Sequence, residues 1–181
     1  MTKAFLFFTG LVLANIVPAL IYLPPPENAD VIAVVRVMSL SPTSDQRVLV
    51  KAFVNQVAKG AKPGQAMDFA VAGMGNYYRG GEYLIHATKT SDGWDVTSSI
   101  ETRGNPETAA NLIRLVRNQM NQVEAAKSEA VKLYPSLGDP KSRFNAEFAR
   151  RYVEHKRRHS DLFTDRNWPV TLAREVADSM K

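Results

Sequence analysis

The feature that most constrains this chain is a run of twenty residues, Ala4 to Leu23, that carries no charge and is interrupted only by Thr9, Gly10, Asn15 and Pro18. A hydrocarbon core of about 30 Å divided by a helical rise of about 1.5 Å per residue asks for about 20 residues, so the run reads as a transmembrane segment. Lys3 and the amino terminus precede it, while Glu27 and Asp30 follow it. Positive charge is retained on the cytoplasmic side, which puts the N-terminus in the cytoplasm and everything after Pro24 in the periplasm or outside the cell. The expectation is a single-pass inner-membrane protein held by an uncleaved signal-anchor.

Two other readings compete for this run. In a cleaved leader, Val12-Leu13-Ala14 would set small residues where a peptidase acts, but the cut would leave Asn15 to Leu23 as an apolar stub. Cutting after Ala29 would set Glu27 where a small residue is required. A buried core helix rarely runs this far without a charge. Within a spanning helix, Pro18 removes a backbone donor and kinks the chain, and Asn15 one turn earlier is placed to hydrogen-bond a neighbouring helix. Pro24-Pro25-Pro26 then stops the helix and forms a short stiff spacer.

The remainder expects an α+β fold: a small antiparallel sheet or hairpin packed on helices, with a C-terminal helical tail. Its organisation is an anchor over 1–23, a proline spacer over 24–30, a small α+β unit over 31–104, and a long helix with a basic tail over 105–181. Val31 to Leu40 is Val- and Ile-rich and reads as a strand. Ser44 is placed to cap a helix to about Lys59 with Leu49, Val50, Phe53, Val54 and Val57 on one face, and Met67, Ala70, Val71, Met74, Tyr77 and Tyr78 follow the spacing of a second helix. Asp92-Gly93 suits a tight hairpin loop between Tyr83–Thr90 and Trp94–Thr102. In that register Ala87 faces Ser98, His86 faces Ser99 and Ile85 faces Ile100. Tyr83, Ile85, Trp94, Val96 and Ile100 then share the buried face, and Leu84 and His86 fall on a polar one.

Asn105-Pro106-Glu107 combines a cap, a first-turn proline and an acid facing the helix dipole. Ala109, Ile113, Val116, Met120, Val123, Ala126, Ala130 and Tyr134 continue on one stripe, which predicts a helix about 40 Å long. Two more helices are expected, from Ser142 to about Ser160 and from Asn167-Trp168-Pro169 onward.

Composition narrows the chemistry. With 181 residues, 45% hydrophobic and 23% charged, the chain has a core to bury and is neither disordered nor fibrous. The absence of cysteine excludes disulfides, thiolate zinc sites and a cysteine nucleophile. The net charge of +5 is local, because Lys141 to Arg158 holds seven basic residues against Glu147 and Glu154. Projected on a helix, Phe144, Phe148, Tyr152, His155 and His159 share one edge, while Arg150, Arg151, Arg157 and Arg158 occupy the other side. Those four arginines, with Trp94 and Trp168 as aromatic anchors, are the candidate interaction residues. Partners for a basic face are other envelope proteins or anionic lipid; nucleic acid is disfavoured on the outer side of a membrane.

No catalytic or metal-binding set emerges. His155 and His159 have two-ligand spacing but enclose Lys156-Arg157-Arg158, which repels a cation. His86 and Ser99 lie about 13 Å from Asp95 along the strands, too far for that acid to orient the imidazole. Gly73-Met74-Gly75 and Gly80-Gly81 lack the Gly-Lys-Ser/Thr of a phosphate loop. The sequence calls for no cofactor. It reads as a non-enzymatic, membrane-anchored extracytoplasmic subunit or assembly factor of an envelope complex of the secretion, conjugation or virion-membrane type. The alternatives are an anchored or secreted hydrolase and a binder of anionic surfaces.

Overall fold

The structure is a computed structural model that describes residues 24–44, 47–72, 77–91, 93–158 and 160–181. The apolar run Ala4 to Leu23, Gly73-Met74-Gly75, Asp92 and His159 lie outside the described residues. Among those described, no helix is long and apolar enough to cross a membrane.

Five strands, β1 (Val31–Pro42), β2 (Arg47–Lys59), β3 (Ala66–Ala72), β4 (Glu82–Thr90) and β5 (Gly93–Glu101), close into a barrel in the order β1-β2-β3-β5-β4. All neighbours are antiparallel except β3 and β5, which run parallel at Phe69–Trp94 and Ala70–Asp95. The seam that closes the barrel is short, two residue pairs between β3 and β5 among the described residues. Three helices follow, α1 (Pro106–Leu133), α2 (Arg143–Arg157) and α3 (Trp168–Ser179). The α+β expectation therefore holds in its coarse form, while the sheet is a closed barrel.

Two expected helices are strands. In β2 the inward residues Val48, Val50, Ala52 and Val54 alternate with outward neighbours, and Phe53, expected on a helix's apolar face, is 44% exposed. In β3, Met67 and Phe69 point inward at the same two-residue period. Apolar positions at i, i+3 and i+4 in so valine-rich a stretch also satisfy a period of two; barrel closure selects the strand, because each gains two hydrogen-bonded neighbours.

The hairpin forms with a shifted register. Thr90 pairs with Gly93 and Lys89 with Trp94, so the loop opens after Thr90, one residue earlier than the sequence suggests. His86 faces Ser98 and Ala87 faces Val96, which leaves Thr97 as the extra residue of a bulge; its hydroxyl donates to the His86 carbonyl at 3.2 Å. Tyr83, Ile85 and Ala87 line the barrel interior with Val31, Ala33, Val35 and Val37. Leu84, opposite Ile100, faces outward but is sealed under α1, and His86 is 1% exposed. The face expected to be polar is thus partly a second core.

That second core explains the length of α1. Asn105 caps it by accepting from the Glu107 and Thr108 amides at 2.9 and 3.2 Å, as the sequence indicates. Its first half packs Ala109, Leu112, Ile113 and Val116 on Ile32, Val34 and Leu84 outside the barrel. Farther along, Val123 joins Phe163, Trp168 and Leu172 in a third cluster. One helix therefore links the barrel to the helical tail.

Gly60 marks the tightest approach between β2 and the entry to β1. Its φ is +71°, and a Cβ there would lie 1.9 Å from the Asp30 carbonyl oxygen. Gly60→Ala is expected to destabilise the fold by about 2–3 kcal/mol through strain and backbone displacement, measured as a lower urea midpoint with unchanged m-value.

Candidate functional site

The basic helix α2 starts where Ser142 accepts from the Asn145 amide at 3.0 Å and ends with His155, Lys156 and Arg157 facing its negative pole. Glu147 and Glu154 pair with three nearby arginines. Arg150 donates to both oxygens of Glu147 at 2.7 and 2.8 Å, Arg151 reaches the same carboxylate at 2.9 Å, and Arg158 pairs with Glu154 at 2.6 Å. The Arg150 and Arg151 hydrogen bonds pull the Glu147 carboxyl down to about 2. Arg157 is exposed and, among the described residues, has no ion pair.

The two tryptophans serve different places. Trp94 is half-buried against the barrel interior at the start of β5. Trp168 is 2% exposed, stacks on Tyr152 at 5.3 Å, meets Phe163 edge-on at 5.2 Å and donates its indole N–H to Glu27 at 3.3 Å. It anchors the tail's own core.

The structure does assemble one serine–histidine–acid group, absent from the sequence reading. The Ser160 hydroxyl lies 3.0 Å from His155 Nδ1, and Glu175 is 3.8 Å from Nε2. Ser160 Oγ also accepts the Leu162 amide as the cap of a short 3-10 turn, Asp161–Thr164. The hydroxyl is a cap, and the carboxylate is beyond hydrogen-bond distance of the imidazole, so this contact secures the end of α2.

A concave site arises elsewhere, where the entry segment, the end of β2 and all three helices converge. It is a groove of about 410 Å³ lined by Pro26, Glu27, Lys59, Met120, Glu124, Lys127, Phe148, Tyr152 and Trp168. Phe148, Tyr152 and Trp168 supply an aromatic wall, with Phe148 and Trp168 stacked at 6.3 Å. Lys59 reaches from β2 to donate to the Pro26 and Ala29 carbonyls at 2.7 and 2.5 Å. Burial, and secondarily the Lys156 charge, lowers its pKa, while Glu27 and Asp30 oppose the shift. Glu27 Oε1 takes the Trp168 N–H, whereas Glu27 Oε2 is buried with no hydrogen-bond partner among the described residues.

Of the expected interaction residues only Trp168 reaches this groove. No sequence signal joins Glu27, Lys59 and Met120 in one site, because they come from three separate segments and no short motif spans them. The volume falls in the range of small-molecule pockets, and the lining joins five apolar or aromatic residues to two acids and two lysines. No family model, no curated protein and no solved structure matches the chain.

Proposed function

We propose that the chain is a non-enzymatic, single-pass, extracytoplasmic subunit or assembly factor of a larger envelope complex, anchored by Ala4 to Leu23. The observation that supports this reading is the incomplete packing of α2. None of its fifteen residues is fully buried. Its inner side rests Phe148 and Tyr152 on Trp168, while its outer side carries Ala146, Ala149 and Val153 in a trough bordered by Arg150, Arg157 and Arg158. Val153 is 52% exposed. Helices of this length depend on tertiary packing for stability, and an apolar trough between arginines fits a protein partner with acidic residues.

Full-length protein in mild detergent is expected to migrate at a mass above that of the single chain. Val153→Asp and Arg157→Glu should each weaken the association at least tenfold while leaving the circular-dichroism melt unchanged. A clean monomer with no co-purifying partner would overturn the proposal.

Arg143 and Arg157, exposed and without an ion pair among the described residues, favour a second reading, attachment of this helix to anionic lipid. Such binding weakens between low and physiological ionic strength, and insensitivity to salt would exclude it.

A further inference from the structure

We infer that the groove between the entry segment and the three helices binds a phosphoethanolamine group, a primary ammonium carried a short distance from an anionic phosphate. The inference deepens the envelope reading, on which it rests for the source of the ligand.

The groove offers opposite charges that are not joined in an ion pair among the described residues, although Glu27 is near enough to act on the Lys59 ammonium. Glu27 and Lys59 both line it, yet neither has an ion pair among the described residues. Glu27 holds one oxygen on the Trp168 indole and keeps the other buried without a donor. A buried acceptor left unmade is unfavourable, and a turn of the carboxylate toward the groove exposes it to an ammonium N–H that relieves it. The adjoining Tyr152 ring, half-buried on the groove wall, provides a π surface that attracts a cation in a partly desolvated site. Lys59 uses two of its three donors on backbone carbonyls and retains one. Lys127, half exposed at the rim, adds a second cation for a phosphate, although Glu124 shares its charge at 3.1 Å. Pro26 and Met120 complete an apolar floor against which a glycerol backbone can pack.

Position points to a lipid as the carrier. Pro26 lines the groove and lies three residues beyond Leu23, so a chain whose apolar run spans the bilayer holds the groove within about 10 Å of the membrane surface. An ethanolamine head is favoured over choline, because a trimethylated nitrogen has no N–H to give to Glu27.

The test uses the full-length protein with Trp94→Phe, which leaves Trp168 as the sole tryptophan reporter. In detergent micelles, sn-glycero-3-phosphoethanolamine is expected to change Trp168 emission saturably, and sn-glycero-3-phosphocholine to bind at least tenfold more weakly. Glu27→Gln should weaken ethanolamine binding at least tenfold, and Lys127→Glu several-fold, with unaltered circular dichroism. No saturable change, an equal response to the choline compound, or indifference to Glu27→Gln would each overturn the inference. In nanodiscs, a larger response to phosphatidylethanolamine than to phosphatidylcholine supports a lipid source; equal responses beside tight binding of the soluble compound overturn the lipid and assign a soluble one. Release of the chain from membranes by alkaline carbonate would defeat the anchor reading without touching the micelle result.

Discussion

Trp168→Ala is expected to remove about 3–5 kcal/mol of stability, the largest loss of any single truncation in the helical tail. Trp168 is 2% exposed and joins Phe148 and Tyr152 of α2, Phe163 of the connecting turn and Val123 of α1. Its removal leaves a cavity that three separate elements would have to shift to fill, and it strips Glu27 of its one hydrogen-bond donor. The barrel interior contains none of these residues. Hydrogen exchange should therefore accelerate throughout α2 and α3 while β1 and β4 keep their protection. Equal acceleration in the strands would show that barrel and tail unfold as one unit, contrary to the division into separate clusters along α1. Trp168→Phe should recover part of the loss, because it restores apolar volume without the N–H.

Acidification is expected to cost about 3 kcal/mol through His86 alone. The imidazole is 1% exposed, neither ring nitrogen has a hydrogen-bond partner among the described residues, and burial pulls its pKa from 6.5 to about 4, with the Lys59 charge acting in the same direction. Strand pairing explains that second influence, since Ile32 lies opposite both Lys59 and His86. Well above pH 6.5 the histidine is neutral folded or unfolded, and stability does not vary with pH through it. Between 6.5 and about 4 the unfolded chain binds a proton that the fold refuses, so stability falls as the pH is lowered, and the loss is complete below that window. His86→Leu should flatten the urea-derived stability across this range. At neutral pH it should leave stability unchanged or raise it, because the variant replaces a buried polar ring lacking hydrogen bonds by an apolar side chain. An undiminished pH slope in the variant would assign the effect to other groups.

His86 also shows where sequence reasoning reaches its limit. Alternation along Tyr83 to Thr90 separates two faces correctly, and Tyr83 and Ile85 do point inward. Nothing local reveals that α1, which begins twenty residues after His86, lies over the second face and buries it. The earlier loop and the Thr97 bulge together likewise put Ile100 opposite Leu84 instead of Ile85. The groove was less legible still. Trp168 reads as an anchor, but Lys59 reads as the end of a helix and Glu27 as part of a spacer, and only their meeting gives either a chemical role.

What the residues alone determine is whatever depends on neighbours a few positions apart. The Asn105-Pro106 start of α1, its apolar stripe, the Ser142 cap and the Pro169 opening of α3 follow from hydrogen bonds and periodicity within single segments, and all appear where those rules put them. The strands β2 and β3 required the tertiary structure, because Val-rich segments satisfy helical and extended periods alike until distant strands offer hydrogen bonds to one of them. The same non-local pairing closes the barrel, lays α1 across it and brings Glu27, Lys59 and Trp168 to one groove. Contacts between residues far apart in the chain carry those outcomes, and a local pattern has no means of encoding them.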